Sequence, residues 1–268
     1  MDITKDQLLN LFDSEAGVYA LQIIPSSAFG YGVHNPEMPK TYSGIHFIDT
    51  PSLLSIYQEP PKLISAILDE DGDLCEPGDN AIPSVYFDSI EIGIWCKILL
   101  KTGDASMVEH LDIPFLYKDS TFDEFERLGI GTLSRLTTLW CAEQAHQHAN
   151  TLMSAHLELP IKINSAFYGY YSALQGIVLA KTGKFVHEAA AFTEVAPQIA
   201  TLYPTVIIRM IAGESLSRRE LSAAHFEILK LLELLAESDG ESDLPDKPSE
   251  KIFKLFDKEL LRLRRALI

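Results

Sequence analysis

Between Ser27 and Gly44 the chain reads SAFGYGVHNPEMPKTYSG. A turn of small residues leads into a loop broken by Pro36 and Pro39, and an apolar run follows. That is the rhythm of a catalytic loop, yet the stretch holds a single carboxylate, Glu37. Further carboxylates follow at Asp49 and Asp88, and hard oxygen ligands of this type hold divalent metal ions when they converge. The alternative makes Glu37 a loop charge and Asp49 the cap of the turn at Thr50-Pro51.

Other candidate sites are weaker. Asp69-Glu70-Asp71-Gly72-Asp73 is similar to the start of a calcium loop, but position twelve is Asn80 where a Glu is needed, so the run reads as a solvated turn. His146 and His148 are two apart on a helical pattern, about 200° around the axis, which disfavours a shared metal. Tyr168, Tyr170 and Tyr171 form an aromatic cluster that suits core packing better than base stacking. Cys75, Cys96 and Cys141 make no C-x-x-C pair and read as free thiols. No G-x-S-x-G, H-E-x-x-H or P-loop pattern occurs.

The elements that must carry these residues are legible from periodicity. Helices are expected at 4–11 and 52–56, and strands at 17–24, 44–48 and 63–68. A strand passing into a helix is expected over 86–101. Helices follow over 123–155, 163–181, 188–202 (divided by Pro197), 205–212 after an interruption at Pro204, and 218–236. An acidic linker, ESDGESDLPDKPSE, leads to a last amphipathic helix, KIFKLFDKELLRLRRALI, with Phe253, Phe256, Leu260, Leu263 and Leu267 on one stripe. The first ~100 residues therefore read as α/β and the rest as helical.

The formal net charge of −16 repels polyanions, so nucleic acid is disfavoured as the main partner. The basic row Lys254, Lys258, Arg262, Arg264 and Arg265 is the local exception, although cations also sit well near the end of their own helix. No apolar run approaches the ~20 residues a membrane helix needs. The first residues, MDITKDQLLNLFDSE, carry neither a basic n-region nor an apolar h-region. The expected location is the cytoplasm, with no membrane contact.

Several stretches, taken in order, resemble one family: predicted nucleotidyltransferases of the RlaP/YcgL type, within the DNA polymerase β-like superfamily. Ser27 to Gly44 aligns without a gap with the family's G-S-x-A-Y-G turn and S-D-x-D-x-R-G loop end, with Tyr31, Gly32, Pro36, Glu37 and Gly44 on typical family residues. ILLKTGDASMVEHL places Glu109 on the family Glu. AFYGYYSALQGIVLAKTGKF retains Gln175, Gly176, Thr182 and Gly183, while IIRMIAGESLSRREL and LPDKP match two later motifs. The resemblance implies a Gly-Ser turn that holds triphosphate and a D-x-D pair that holds metal, often with a third carboxylate. Here the Gly-Ser positions are Ser27 and Ala28, the two Asp positions are Pro39 and Thr41, and the Arg position is Ser43. The later His and Arg positions are Tyr168 and Tyr171, and Asp88 falls near the third carboxylate.

The resulting expectation is an α+β fold: a nucleotidyltransferase-like mixed sheet with flanking helices over 1–115 and a helical region over 116–268, packed together. Catalytic residues are lost at Ala28, Pro39 and Thr41, and Ser27, Tyr31 and Gly32 are a remnant of nucleotide binding. The chain then works as a non-enzymatic binding or regulatory factor through a protein partner, with no metal and no cofactor, and such departures suit a phage or accessory protein. Two alternatives stand beside it. One is an active Mg²⁺-dependent enzyme using Glu37, Asp49 and Asp88. The other is a nucleic-acid-binding accessory protein using the basic row.

Overall fold

The computed structural model describes residues 3–13, 16–55, 61–75, 82–111, 113–154 and 159–266. Ile56, Asn80, Ala155 and Leu267, which figure in the expectations above, lie outside the described residues. The first half runs α1 (Lys5–Asp13), β1 (Val18–Pro25), α2 (Ser27–Gly30), β2 (Lys40–Ile48), α3 (Thr50–Leu53), β3 (Leu63–Leu68), β4 (Val85–Glu91), α4 (Ile92–Thr102) and α5 (Ala105–Val108). The second half runs β5 (Tyr117–Lys118), α6 (Asp123–Gly129), α7 (Arg135–Met153), α8 (Leu159–Thr182), α9 (Tyr203–Ile211), α10 (Arg218–Gly240) and α11 (Glu250–Ala266).

The strands form a mixed five-stranded sheet in the order β3-β4-β2-β1-β5. β2 and β4 are parallel, and the other pairs are antiparallel. The architecture is α+β, a mixed sheet with flanking helices followed by a helical half. Period-two alternation along β2 divides the sheet into two faces. Tyr42, Ile48 and the β4 residues Val85 and Phe87 pack under α1 with Leu8 and Phe12. Ile45 and Phe47 face the other way, onto Trp95 and Cys96 of α4, Phe125 of α6 and Phe256 and Leu263 of α11. A third core lies mainly in the helical half, centred on Phe167, Tyr170 and Leu174 of α8 with Ala224, Ile228 and Leu231 of α10, and it takes in Tyr31 and Val33 from the turn after β1.

Several expected elements differ in the structure. β2 begins at Lys40 rather than Gly44, because Lys40 and Thr41 join the ladder against Val85 and Tyr86 of β4. The single helix expected over 123–155 divides near Ser134, which is fully extended at φ −158° and ψ 176°. The stretch 188–202 forms a 3-10 turn, Ala189–Glu194, followed by further turns. Proline 197 has no N–H to continue a helical ladder there, and the Ala189 N–H is drawn out to the Tyr31 carbonyl. Pro204 opens α9 in its first turn instead of interrupting the chain. α10 also runs on to Gly240, absorbing the start of the acidic linker.

α11 returns to the sheet. Its Arg264 reaches Glu91 at 2.6 Å, with side chains only 17% and 5% exposed. The guanidinium also donates to the Ile48 carbonyl at 2.7 Å and lies over the Phe47 ring. Glu91 in turn caps α4, accepting from the Gly93 and Ile94 N–H groups. One carboxylate thus ends β4, starts α4 and holds α11. Removing the cation strands that carboxylate in the interior, so Arg264→Ala is expected to cost about 3–5 kcal/mol, read as a lowered midpoint in urea unfolding.

Candidate functional site

The turn after β1 is built on an unusual backbone. Ser27 has φ +54°, the one described non-glycine residue in the left-handed region. That conformation is normally left to glycine, and the family resemblance puts a glycine at this position. Four residues on, Tyr31 turns inward and Gly32 follows at φ +76°. The turn and the start of β2 form one wall of a cleft of about 400 Å³, and Ile163, Tyr168 and Met210 of α8 and α9 form the other.

Three of the residues at positions of catalytic interest line this cleft: Ala28, Pro39 and Thr41. Thr41 sits beside Tyr86 in the parallel ladder, and Ser43 sits beside Asp88. Paired residues share a face, so Asp88 is on the cleft face but one pleat repeat, about 7 Å, beyond Thr41. Its carboxylate accepts from Ser65 Oγ at 2.6 Å. Asp49 stands beyond the far end of β2, where it caps α3 by accepting from the Ser52 N–H at 2.7 Å. Glu37 precedes β2 and is exposed. Glu37 and Asp49 therefore bracket the strand, which spans about 30 Å, and cannot share one ion with Asp88.

A magnesium centre needs several hard oxygens in one place. The wall offers Pro39 with none, Thr41 with a neutral hydroxyl and Asp88 displaced from both, so the donor set does not fit the ion. Among the described residues no group of three or more His, Cys, Asp or Glu side chains is placed to hold a metal.

The backbone donor of the turn is also taken up. The Ala28 N–H donates to the Tyr168 hydroxyl at 3.1 Å, where an anion-binding turn would leave that donor for its ligand. Tyr168 and Tyr171 lie three apart on α8 and share a face. Tyr171 stacks on Tyr31 with centroids 4.1 Å apart. Tyr170 points elsewhere and is buried against Tyr203. Of the three tyrosines, Tyr170 and Tyr171 pack in the core, and Tyr168 is the one at the cleft.

Two buried networks were not evident from the spacing of residues. Tyr31 donates its hydroxyl to Glu109, and burial pushes the Glu109 carboxyl up to about 8. Behind Thr41, His110 lies between Gln22 and Ser43. The Gln22 amide oxygen only accepts, so His110 Nδ1 carries the proton and Nε2 accepts from the Ser43 hydroxyl. Burial lowers His110 to about 3 and His46 to about 4. The sequence marked Glu109 by its match to the family Glu and as a carboxylate among Met107, Val108 and Leu111, but neither signal gave its burial or its partner.

The basic row on α11 is largely engaged. Lys254 pairs with Glu250, Arg262 with Glu259 and Arg264 with Glu91. Lys258 and Arg265 flank a shallow surface with Asp257 and Leu261. No disulfide joins Cys75, Cys96 and Cys141, and burial raises the thiols of Cys96 and Cys141, the latter to about 12. No helix among the described residues is long and apolar enough to cross a membrane.

No family model matches the chain, and no curated protein matches it. Among solved structures it is similar to a nucleotidyltransferase-like protein from Exiguobacterium sibiricum 255-15. The two are 13% identical, over 91% of this chain and 83% of that one, with a TM-score of 0.34.

Two outcomes follow from the geometry. Ser27→Gly relieves the left-handed conformation and is expected to stabilise the chain by about 0.5–1 kcal/mol, seen as a raised urea midpoint with unchanged slope. Stability should also peak between about pH 6 and 7. Glu109 is raised from 4.5 to about 8, so the folded chain holds its proton longer and stability falls as pH rises through that interval. His46 and His110 are lowered from 6.5, so their contribution is lost as pH falls below 6.5 toward 3–4. Below 6.5 the two histidines outweigh the one carboxyl. Urea unfolding across pH checks both limbs, and Glu109→Gln should flatten the alkaline limb and steepen the acid limb between about pH 4.5 and 6.5.

Proposed function

We propose that this chain is a catalytically degenerate nucleotidyltransferase-fold protein, of the RlaP/YcgL type, that works as a binding or regulatory factor through a protein partner. The reading requires neither metal nor cofactor, and it suits a phage-encoded or accessory protein. The observation that carries it is the Tyr168 hydroxyl on the Ala28 N–H. The donor that a triphosphate would take is satisfied from within the chain, on the same wall that carries Pro39 and Thr41 in place of carboxylates. Phosphoryl and nucleotidyl transfer depend on positioned cations and donors, and substituting both sets removes the means of transfer.

The active-enzyme alternative needs Glu37, Asp49 and Asp88 in one place, which the length of β2 opposes. For the nucleic-acid alternative, three cations of the α11 row are already committed to carboxylates.

The test is a transfer assay with labelled nucleoside triphosphates, Mg²⁺ or Mn²⁺, and protein and RNA acceptors. No transfer is expected, and calorimetry with ATP and Mg²⁺ should show no metal-dependent binding. Transfer that disappears in Asp88→Ala would overturn the proposal. A gel shift abolished by replacing the surface cations Lys258, Arg262 and Arg265 with Ala would move the reading to nucleic acid instead.

A further inference from the structure

Tyr168 and Ser27 separate the first cleft from a second. The second holds about 410 Å³ and is lined from α5, α7 and α8. Its chemistry differs from the first. No Lys, Arg or Asp lines it, and its one carboxyl group is Glu109, which stays protonated at neutral pH because burial raises it. His148 is kept neutral in the same way. Trp140 and Tyr168 supply aromatic surface.

The decisive group is Gln175. It is 1% exposed and lines this cleft. Its Oε1 accepts from the Val186 N–H at 3.2 Å, which fixes which end of the amide is the nitrogen. Nε2 then has no hydrogen-bond partner among the described residues. A buried donor without an acceptor is unfavourable and calls for an explanation. Beside it, Glu109 accepts at Oε1 from the Tyr31 hydroxyl.

We infer that this cleft is a binding site for a small uncharged molecule with a planar amide or lactam group, whose acceptors meet Gln175 and Glu109 and whose ring lies against Trp140 and Tyr168. A lactam offers a carbonyl oxygen to the Gln175 amide and can pair with a carboxylic acid through both C=O and N–H. Aromatic walls suit its planar face. Phosphorylated or carboxylate ligands have no cation to meet here, which sets this site apart from a nucleotide pocket. The inference holds whether or not the first cleft is catalytic.

The test titrates the full chain with uracil, 2-pyridone and hypoxanthine in turn, followed by calorimetry and by Trp140 fluorescence. Trp95 is buried in a different core and serves as a constant background. At least one lactam should bind saturably at neutral pH, and Gln175→Leu should weaken it about tenfold. Uridine 5′-monophosphate should bind more weakly than uracil. Above the Glu109 transition, binding should fall in the native chain and persist in Glu109→Gln. The groups facing Glu109 are Tyr31 beyond β1, Asp104 before α5, and Tyr168 and Tyr171 of α8. Those tyrosines are raised by burial, so Glu109 is the group that titrates there. No binding of any lactam at millimolar concentration overturns the inference, as does binding that a folded Gln175→Leu leaves unchanged. If Gln175→Leu fails to fold, the pH dependence of Glu109→Gln against the native chain decides.

Discussion

Tyr31 is the tie between the two halves. Its hydroxyl is held by Glu109, its ring stacks on Tyr171 of α8, and its carbonyl accepts from Ala189. All three contacts need the chain to turn sharply at Gly32, where φ is +76°. Once α8 is fixed by that stack, helical geometry dictates that the residue three positions earlier faces the same way. That residue is Tyr168, and it meets the Ala28 N–H. The closing of the turn's backbone donor is therefore a consequence of how the halves are joined. A ligand that took the donor would have to displace a side chain anchored by the core behind it.

The interior is kept neutral although the chain carries a formal charge of −16. Glu109 holds its proton, His46 and His110 have lost theirs, and each is hydrogen-bonded. His46 donates from Nε2 to the Pro61 carbonyl and accepts at Nδ1 from Ser89. The excess negative charge is left mainly to the surface, where water and salt screen it. Two buried carboxylates are paired instead: Glu259 with Arg262, and Glu91 with Arg264, a pair bonded to backbone on both sides.

Much of the architecture was legible in the residues. Strands such as LISAIL and the strand-to-helix passage at 86–101 follow from β-branched runs and the change of period, and the structure has them. The failures share a cause. Lys40 and Thr41 join a strand because β4 lies beside them, which local pattern does not reveal. The stretch 188–202 has helical composition, but tertiary hydrogen bonds to Tyr31 and Tyr203 compete with its ladder. At the cleft, the absence of carboxylates at Pro39 and Thr41 could be read directly, because missing chemistry shows in residue types. The hydroxyl on Ala28 could not, because it comes from a residue 140 positions away. Nor could the neutral state of Glu109, which depends on burial by both halves.

The return of α11 has a temporal meaning. The face of β2 that carries Ile45 and Phe47 is covered in part by Phe256 and Leu263, and its ion pair spans 173 positions. A ribosome adding residues at ordinary speed takes roughly 10 to 35 seconds to cover that distance. Throughout that interval the nascent sheet presents an incompletely covered apolar face, and the Glu91 carboxylate waits for its cation. Contacts closed so late make folding slow and leave the early half open to misassociation.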